Sequence, residues 1–534
     1  PRRVAARREV ETYVRVRASE GGQNGGQQNG AERRRDTDAQ TSGASGCRVD
    51  RVLFGASDGG ECGTRALDER TSDRRGCRAV ATTKEERRAD FAFEVLEAAT
   101  EWRLGDVQLT RRAGERPCLR DCHDELQIAP IHTATVRSGM ELREAVIVDS
   151  VRTPIGKRKG ALSGWHPTDL LAFTLQRLIE RAGVDPERID DVIGGCVTQV
   201  GEQGCNVTRN AWVAAGLPQS VPATSVDRQC GSSQQAMHFA AQGVMSGGYD
   251  LAIACGVESM TRSPMASNAA GGIGPFSPDF MAACDGQLMT QFQVAQILAE
   301  RFKISREDMD EFALESHRRA AAAVDSGAVQ SELVPVPIKD GDGRETGDLL
   351  EADEGIRRGG TMESLGALGS AASWDPSIAP DITAGNASQM SDGGAAMLIA
   401  DRATAEKLGL PVRAVFRHMV VAGDDAVLVL SAPNPATRKL LVRSGMTIDD
   451  FDAIECNEAF AAIALMWARE FVPDPLRYNP RGGAIAIGHP LGASGVRLMT
   501  TLLNQLEATG GRYGFQTMCE GGGMANATVI ERVS

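Results

Sequence analysis

The sequence lacks any apolar run long enough to cross a membrane. The longest candidates, such as AAIALMWA at residues 461–468, have the length of a core helix, whereas a spanning helix needs roughly 18 apolar residues. A dense cysteine framework is also missing, because the 12 cysteines are scattered through 534 residues. A chain of this length buries a core without disulfide staples, so single thiols are free to react in a reducing compartment. We therefore expect a cytoplasmic protein with no membrane span.

Positive charge and aromatic side chains are scarce. Lys and Arg number 58 against 71 Asp and Glu, which gives a net charge of −13, and aromatic residues make up only 4% of the chain. An acidic balance argues against a nucleic-acid-binding protein. The length corresponds to roughly two to four domains.

Residues 1–139 differ in composition from the remainder. They contain no methionine, although the whole chain has 17, and they carry 24 arginines with a single lysine. Their hydrophobic periodicity is poor, and GGQNGGQQNG at 21–30 is polar and of low complexity. We predict a disordered or non-native extension and favour it over a mitochondrial transit peptide, which would be shorter and poor in acid. CLRDCHDE at 118–125 has no second ligand pair at suitable spacing, so a metal site there is disfavoured.

From Met140 onward the pattern alternates between strands and helices, which indicates α/β layers. A buried strand is predicted over 145–151, and an amphipathic helix over about 168–182 ends before Gly183. A second strongly helical segment covers 305–324, with Ser305 as its N-cap.

A short internal repeat indicates duplication. LIERAGVDPERIDDVI at 178–193 aligns without gaps with 440–455, and each copy precedes a Gly-rich turn that enters a helix. We predict two similar α/β halves, about 140–258 and 404–534. The intervening region, 259–403, is predicted to supply a loop or lid over a binding site and the start of the second half.

Cys230 stands directly before a predicted helix in DRQCGSSQQAMH (227–238). A thiol at a helix N-terminus feels the positive end of the dipole, which predicts a lowered pKa. Gly231 and the serines that follow keep the approach free of bulk. A nucleophile and a buried structural thiol are both compatible with this stretch alone.

Three further stretches hold candidate functional residues. His489 lies between Gly488 and Pro490 in a turn with more glycine than a core histidine needs. Cys519 ends a strand before three glycines, whose exposed backbone N–H groups would suit an oxyanion hole or a simple hairpin turn. Asn457, in NEAF at a strand-to-helix junction, fits either a functional role or a helix cap.

Taken together, the order and spacing of these motifs resemble the thiolase family, of the acetyl-CoA acyltransferase type, over residues 140–534. The resemblance rests on VRTPIG, CGSSQQA, ESMTRSP, TAGNASQMSDGGAA, NEAF, GGAIAIGHPLGASG and CEGGG. It implies the thiolase fold, a five-layered αβαβα arrangement of two similar α/β halves with an inserted loop domain, and a homodimer or homotetramer. Two departures are Ser233, where members often carry glycine, and Phe292, where an acidic residue is expected. The second leaves acyl specificity open.

The resemblance implies thiolytic cleavage of a 3-ketoacyl-CoA by CoA, which yields acetyl-CoA and a shortened acyl-CoA. Cys230 would be the nucleophile that becomes acylated, and His489 would take its proton with the help of a water held by Asn457. Cys519 would protonate the leaving enolate and then deprotonate the incoming CoA. The backbone N–H groups of Cys230 and Gly521 would form the oxyanion hole.

CoA enters as co-substrate, with no permanently bound cofactor and no metal. The resemblance places Ser388 and Ala384 of TAGNAS near the pantetheine and Arg357 near the nucleotide, although Arg357 also fits an ordinary solvated charge. A role in degradation of fatty acids or related lipids is favoured over biosynthetic condensation to acetoacetyl-CoA. A ketoacyl synthase lacks a second catalytic cysteine before GGG, and a non-catalytic acyl-CoA-binding protein would have lost the nucleophile or the acid.

Overall fold

The computed structural model describes residues 143–533. The extension predicted over 1–139, with its Cys and His residues, lies outside the described residues. The strands are β1 (Ala145–Arg152), β2 (Gly156–Lys157), β3 (Asp191–Gly195), β4 (Ala223–Val226), β5 (Leu251–Ser259), β6 (Val336–Lys339), β7 (Glu345–Leu350), β8 (Ser391–Asp401), β9 (Ala414–Gly423), β10 (Ala453–Cys456), β11 (Tyr513–Glu520) and β12 (Met524–Arg532).

The helices alternate with these strands along the chain. They are α1 (Pro167–Ala182), α2 (Val207–Ala214), α3 (Ser232–Met245), α4 (Pro278–Ala283), α5 (Gln291–Arg301), α6 (Arg306–Asp325), α7 (Met362–Gly366), α8 (Arg402–Lys407), α9 (Pro433–Ser444), α10 (Ala461–Phe471), α11 (Ala484–Ile487) and α12 (Ser494–Thr509). In the part of the chain that the structure describes, none of these helices combines the length and the apolar character of a membrane span.

One large mixed sheet has the strand order β10-β11-β12-β9-β1-β8-β5-β3-β4, with β2 paired to β8. Its two halves join where β1 pairs with β9 through Val146 opposite Val415 and Ile147 opposite Ala414. The predicted strand at 145–151 is β1. Strand β8 runs between β1 and β5, among the strands of the first half. The end of the 259–403 region therefore supplies β8 to the sheet between β1 and β5.

The helices cover both faces of each half of the sheet. Helices α3 and α12 pack on each other in the centre, with α3 on β3 and β5 and α12 on β10 and β11. Helix α1 packs against β1 and β8 of the first half, and α9 packs against β9 and β12 of the second. The order of layers is α, β, α, β, α, as the predicted fold requires.

The internal repeat is visible as repeated structure. Helix α1 ends at Gly183 with φ of 61°, and α9 ends at Gly445 with φ of 70°. Only glycine enters this left-handed region without a steric cost. A 3₁₀ turn follows each helix, at Pro186–Arg188 and Ile448–Asp450, before β3 and β10 begin. The same local sequence thus produces the same helix end and strand in both halves.

The region between the halves is anchored by caps and by buried charge. Ser305 and Asp308 cap α6 reciprocally, as predicted, with each side chain accepting the other's backbone N–H. Arg152, at the end of β1, is fully buried and forms ion pairs of 2.8 and 2.7 Å with Glu332 and Asp353. Removing one partner of such a buried network would leave an uncompensated charge, so these pairs fix the inserted region against β1.

Candidate functional site

Cys230 lies in a tight turn immediately before α3. Gly231 is the N-cap residue of the helix, and the Gly231 N–H donates to the Arg228 carbonyl oxygen at 3.1 Å. Gln229 has φ of 48°, a left-handed conformation that costs a residue with a side chain some energy. The Arg228 N–H is held by Ser232 Oγ at 3.0 Å. This strained turn directs Cys230 toward the end of β11.

The close approach between this turn and the end of β11 requires glycine at positions 231 and 521. A Cβ placed on Gly231 would overlap the Glu520 carboxylate, and one on Gly521 would lie 2.9 Å from Gln229 Oε1. Gly522 and Gly523 continue the chain with φ of 81° and 73°. The glycines after Cys519 therefore let two backbone segments meet at the nucleophile.

Two backbone N–H groups act on the Cys230 sulfur. Burial raises the pKa of this thiol, while hydrogen bonding from the N–H groups of Gly521 and of Cys230 itself opposes that rise. These are the two donors that the sequence resemblance assigned to an oxyanion hole. Donors fixed beside a nucleophile are positioned to stabilise negative charge that develops on an attacked carbonyl oxygen.

Cys519 and His489 are brought toward Cys230 by their neighbours. Cys230 packs in one buried cluster with Met518, which precedes Cys519, and with Leu491, two residues beyond His489. Cys519 is fully buried at the end of β11. Burial raises the pKa of its thiol well above the ordinary range, and the nearby Cys230 raises it further. The fold thus places both predicted reactive cysteines in one site.

The hydrogen bonds of His489 define its tautomer. Nδ1 lies 2.6 Å from Ser494 Oγ, and that hydroxyl donates to the Pro490 carbonyl oxygen at 2.8 Å. The hydroxyl proton of Ser494 is therefore already used in the bond to Pro490. Nδ1 must then carry the imidazole proton, and Nε2 is the acceptor. Asn457 Nδ2 lies 3.3 Å from Nε2. The basic nitrogen of His489 consequently faces the Asn457 side of the site.

Burial determines the protonation states of Cys230 and His489. Burial, reinforced by the nearby Glu520, raises the pKa of the Cys230 thiol to about 12. Burial, with the Arg497 charge second, lowers the pKa of His489 to about 3. The lowered pKa predicted for Cys230 from its helix N-terminus is therefore wrong, because desolvation outweighs the dipole. At neutral pH the Cys230 thiol and the His489 imidazole are therefore both neutral.

The TAGNAS loop lies against this histidine. The His489 N–H donates to the Gln389 carbonyl oxygen at 3.2 Å, and the Ser388 N–H donates to the Ala459 carbonyl oxygen at 2.9 Å. Ser388 is half-buried, whereas Ala384 is exposed at the other end of the loop. Both positions lie on the segment that contacts His489.

Arg357 lines an open cavity of about 560 Å³ beside α6. Its backbone N–H donates to His317 Nδ1 at 3.0 Å, while its side chain is exposed. Gly355, two residues earlier, accepts a hydrogen bond from Gln389 Nε2 at 2.8 Å. The cavity wall is therefore joined to the TAGNAS loop through Gln389. Its other two arginines, Arg318 and Arg358, are ion-paired with acids of the same wall.

Two site residues escaped the sequence analysis as functional positions. Glu258, at the end of β5, is fully buried and accepts the N–H groups of Val197, Thr198 and Gly492 at 2.9 to 3.0 Å. It ties the turn that carries His489 to the first half of the protein. Ser494 fixes the histidine tautomer. The available signals were an acid at the end of an apolar strand and a serine five residues after the histidine.

Gly492 offers a test of how tightly the histidine turn is held. An added Cβ would lie 2.5 Å from the Val257 carbonyl oxygen, 2.6 Å from that of Gly195 and 2.7 Å from Cys196 Cα. Because these atoms are backbone, we expect Gly492→Ala to lower the free energy of unfolding by about 1–3 kcal/mol in urea denaturation. The control is Gly366→Ala, whose Cβ meets nothing within 4 Å. Equal stability of the two variants would contradict this close packing.

Glu520 is a buried acid beside the turn that carries Cys230. Both of its carboxylate oxygens lack a hydrogen-bond partner among residues 143–533. Burial raises its pKa to about 8, against the opposing effect of the Arg228 charge. An unfolded Glu ionises near pH 4.5. Between these two pH values the folded state keeps a proton that the unfolded state has lost, so stability falls as pH rises.

We expect Glu520→Gln to remove this dependence on pH. The advantage in unfolding free energy of the variant over the parent should grow between pH 5 and pH 8, by up to about 1.4 kcal/mol per pH unit. Urea denaturation at several pH values measures it, and Glu363→Gln, at an exposed carboxylate, is the matched control. A pH-independent difference for Glu520→Gln would show that this carboxyl titrates normally.

No group of three or more His, Cys, Asp or Glu side chains within residues 143–533 is arranged to hold a metal ion.

Family models match most of the described chain. The thiolase N-terminal domain model matches residues 145–403, and the thiolase C-terminal domain model matches residues 410–532. A steroid 3-ketoacyl-CoA thiolase of Mycobacterium tuberculosis is 44% identical over 403 residues, which are 74% of this chain and 96% of that protein. A β-ketoadipyl-CoA thiolase of Escherichia coli is 44% identical over 408 residues, which are 73% of this chain and 100% of that protein.

A solved structure agrees with the fold. The crystal structure of the Bacillus anthracis acetyl-CoA acetyltransferase matches with a TM-score of 0.66 and 32% identity. The match covers 73% of this chain and 99% of the solved chain.

Proposed function

The chain belongs to the thiolase family, and on that premise we propose how its buried cysteines and histidine cleave a 3-ketoacyl-CoA. The protein is an acyl-CoA acyltransferase that carries out thiolytic cleavage of a 3-ketoacyl-CoA by CoA, in the degradative direction. The products are acetyl-CoA and a shortened acyl-CoA. Biosynthetic condensation is not favoured.

One observation carries the assignment of roles. Cys230 packs in one buried cluster with Met518, the neighbour of Cys519, and burial and the nearby Cys230 raise the pKa of the Cys519 thiol. A single nucleophile with an oxyanion hole would suit many acyl transfers. A second thiol at the same place adds an acid–base group, which cleavage of a carbon–carbon bond requires.

The first half-reaction transfers the acyl group to the enzyme. As Cys230 Sγ attacks the 3-keto carbon, its proton passes to Nε2 of His489, because both groups start neutral. The resulting oxyanion collapses and breaks the Cα–Cβ bond, and the electron pair leaves as the enolate of acetyl-CoA. Cys519 donates its proton to that carbanion, which releases acetyl-CoA and leaves a thioester on Cys230. Its high pKa keeps Cys519 protonated until this step.

The second half-reaction returns the acyl group to CoA. The Cys519 thiolate takes the proton of the incoming CoA thiol, and the CoA sulfur attacks the thioester on Cys230. The N–H groups of Cys230 and Gly521 stabilise the oxyanion. The Cys230 thiolate then leaves and recovers its proton from His489. Asn457, beside Nε2, holds a water that completes the site.

We assign CoA recognition to the loops around His489. Ser388 and Ala384 would contact the pantetheine on the TAGNAS loop, and Arg357 would face the phosphates or the nucleotide. The hydrogen bonds of Gln389 to both segments support a continuous path between these positions. CoA is the co-substrate in this scheme, no resident cofactor is required, and we expect a homodimer or homotetramer.

A thiolysis assay with the full chain tests the function. The purified protein is mixed with acetoacetyl-CoA or a longer 3-ketoacyl-CoA and CoA, and loss of the enolate absorbance is followed. We expect CoA-dependent cleavage with ping-pong kinetics, because the acyl-enzyme forms before free CoA binds. Absence of cleavage with every 3-ketoacyl-CoA would overturn the proposal.

A further inference from the structure

Three aromatic rings from separate segments meet at one place. The Phe292 ring, on α5, lies 5.6 Å from the Trp374 ring and 5.7 Å from the Phe460 ring, edge-on to both. Such edge-to-face contacts are favourable and hold the rings in fixed orientations. Phe292 and Phe460 are largely covered, whereas Trp374 is 62% exposed. We call these three residues the aromatic wall.

The aromatic wall borders the proposed site. Phe460 follows Asn457 by three residues and packs in the same buried cluster as Cys519. Its backbone also pairs with Ala387, which precedes Ser388 in the TAGNAS loop. A substrate whose thioester lies near Ser388 and Cys519 would therefore have the aromatic wall close to its acyl group.

Three segments around the aromatic wall carry no positive charge. Neither Lys nor Arg occurs within 263–300, 359–401 or 418–437. Arg306 of the neighbouring helix α6 donates to a carbonyl of the second segment and is ion-paired with Asp310 at 2.7 Å. The charged residues of the last segment, Asp424 and Asp425, are acidic, and the Asp424 N–H donates to the Gly523 carbonyl oxygen at 2.7 Å. A carboxylate buried against apolar rings without a cation pays a large desolvation cost. The charge pattern therefore disfavours an anionic acyl group.

We propose that the aromatic wall binds the acyl part of the substrate and selects large, uncharged hydrocarbon groups over carboxylate-terminated ones. The inference rests on the proposed function and adds the substrate class. An exposed indole gains from being covered by an apolar ligand, and the Trp374 indole is connected to the site through Phe292 and Phe460. The two relatives act, by their names, on a steroid and on a β-ketoadipyl substrate. The aromatic wall favours the uncharged alternative.

A matched pair of substrates tests the charge selection. 3-Oxohexanoyl-CoA and 3-oxoadipyl-CoA share a chain length and differ in the terminal carboxylate. We expect kcat/KM to be at least about 10-fold higher for the uncharged substrate, which follows from a desolvation penalty of at least about 1.4 kcal/mol. Equal or faster cleavage of 3-oxoadipyl-CoA would overturn the inference. Acetoacetyl-CoA is the reference substrate, and failure of all three 3-ketoacyl-CoAs would count against the proposed function instead.

Substitution of Trp374 tests the role of the aromatic wall. Trp374→Ala should reduce kcat/KM for a ring-bearing 3-ketoacyl-CoA at least about 10-fold more than for acetoacetyl-CoA, chiefly through KM. Trp374→Phe should recover most of the loss, because it restores an aromatic face. Val442→Ala, at an exposed apolar position on α9, is the control. Equal losses for both substrates would contradict acyl recognition. Comparing a ring-bearing with a linear acyl group then shows which hydrocarbon shape fits better.

Discussion

Cys230→Ala is expected to abolish thiolysis, with a fall in kcat of at least about 10⁴-fold. The variant keeps the backbone N–H groups at positions 230 and 521 and still has His489, but it has no sulfur to carry the acyl group. Substrate binding and oxyanion stabilisation cannot replace the covalent step. Without a sulfur bonded to the 3-keto carbon, there is no tetrahedral adduct whose collapse expels the enolate. The turn before α3 is already set by its backbone, so folding should survive.

The loss is measured with a 3-ketoacyl-CoA and CoA under saturating conditions. Cys205→Ala is the matched control, since Cys205 is an exposed free cysteine. The control should retain the parent rate within about twofold. Thiolysis by Cys230→Ala at a rate near that of the parent would show that another group is acylated.

Cys519→Ala is expected to lose about 10³- to 10⁴-fold in kcat for a different reason. The nucleophile and its base remain, but no acid stands ready to protonate the enolate and no base to activate CoA. Alkylation of Cys230 by iodoacetamide should therefore stay within about threefold of the parent rate, because it depends on Cys230 and His489 only.

The two readouts separate a chemical role of Cys519 from a structural one. Turnover should collapse while alkylation at Cys230 persists, and mass analysis of the labelled peptide identifies the site. If both fell together, Cys519 would be a packing residue of the buried cluster. If turnover stayed high, the assignment of the second thiol would be wrong.

Local signals explain why the repeat was predictable. Gly183 and Gly445 each end a helix in a left-handed conformation, and this information lies within a few residues of the chain. The capping of α6 by Ser305 is equally local. The position of β8 was not predictable in the same way, because the sequence of a fully buried strand does not reveal which strands it pairs with.

The chemistry of the site depends on burial, which a local pattern does not report. The helix N-terminus before Ser232 suggested a lowered pKa for Cys230, but the surrounding fold removes water and places Glu520 beside the thiol. The roles of Glu258 and Ser494 likewise arise from contacts between distant segments. Phe292 was noted as a departure from the family pattern, while its contact with Trp374 required the fold.

The most direct test of the account is the mass of the protein after exposure to a 3-ketoacyl-CoA without free CoA. We predict an acyl group on the peptide that contains Cys230, released when CoA is added and absent from Cys230→Ala. An acyl group found on Cys519 or on no cysteine, with thiolysis still observed, would contradict the central claim that Cys230 carries the acyl group between the two half-reactions.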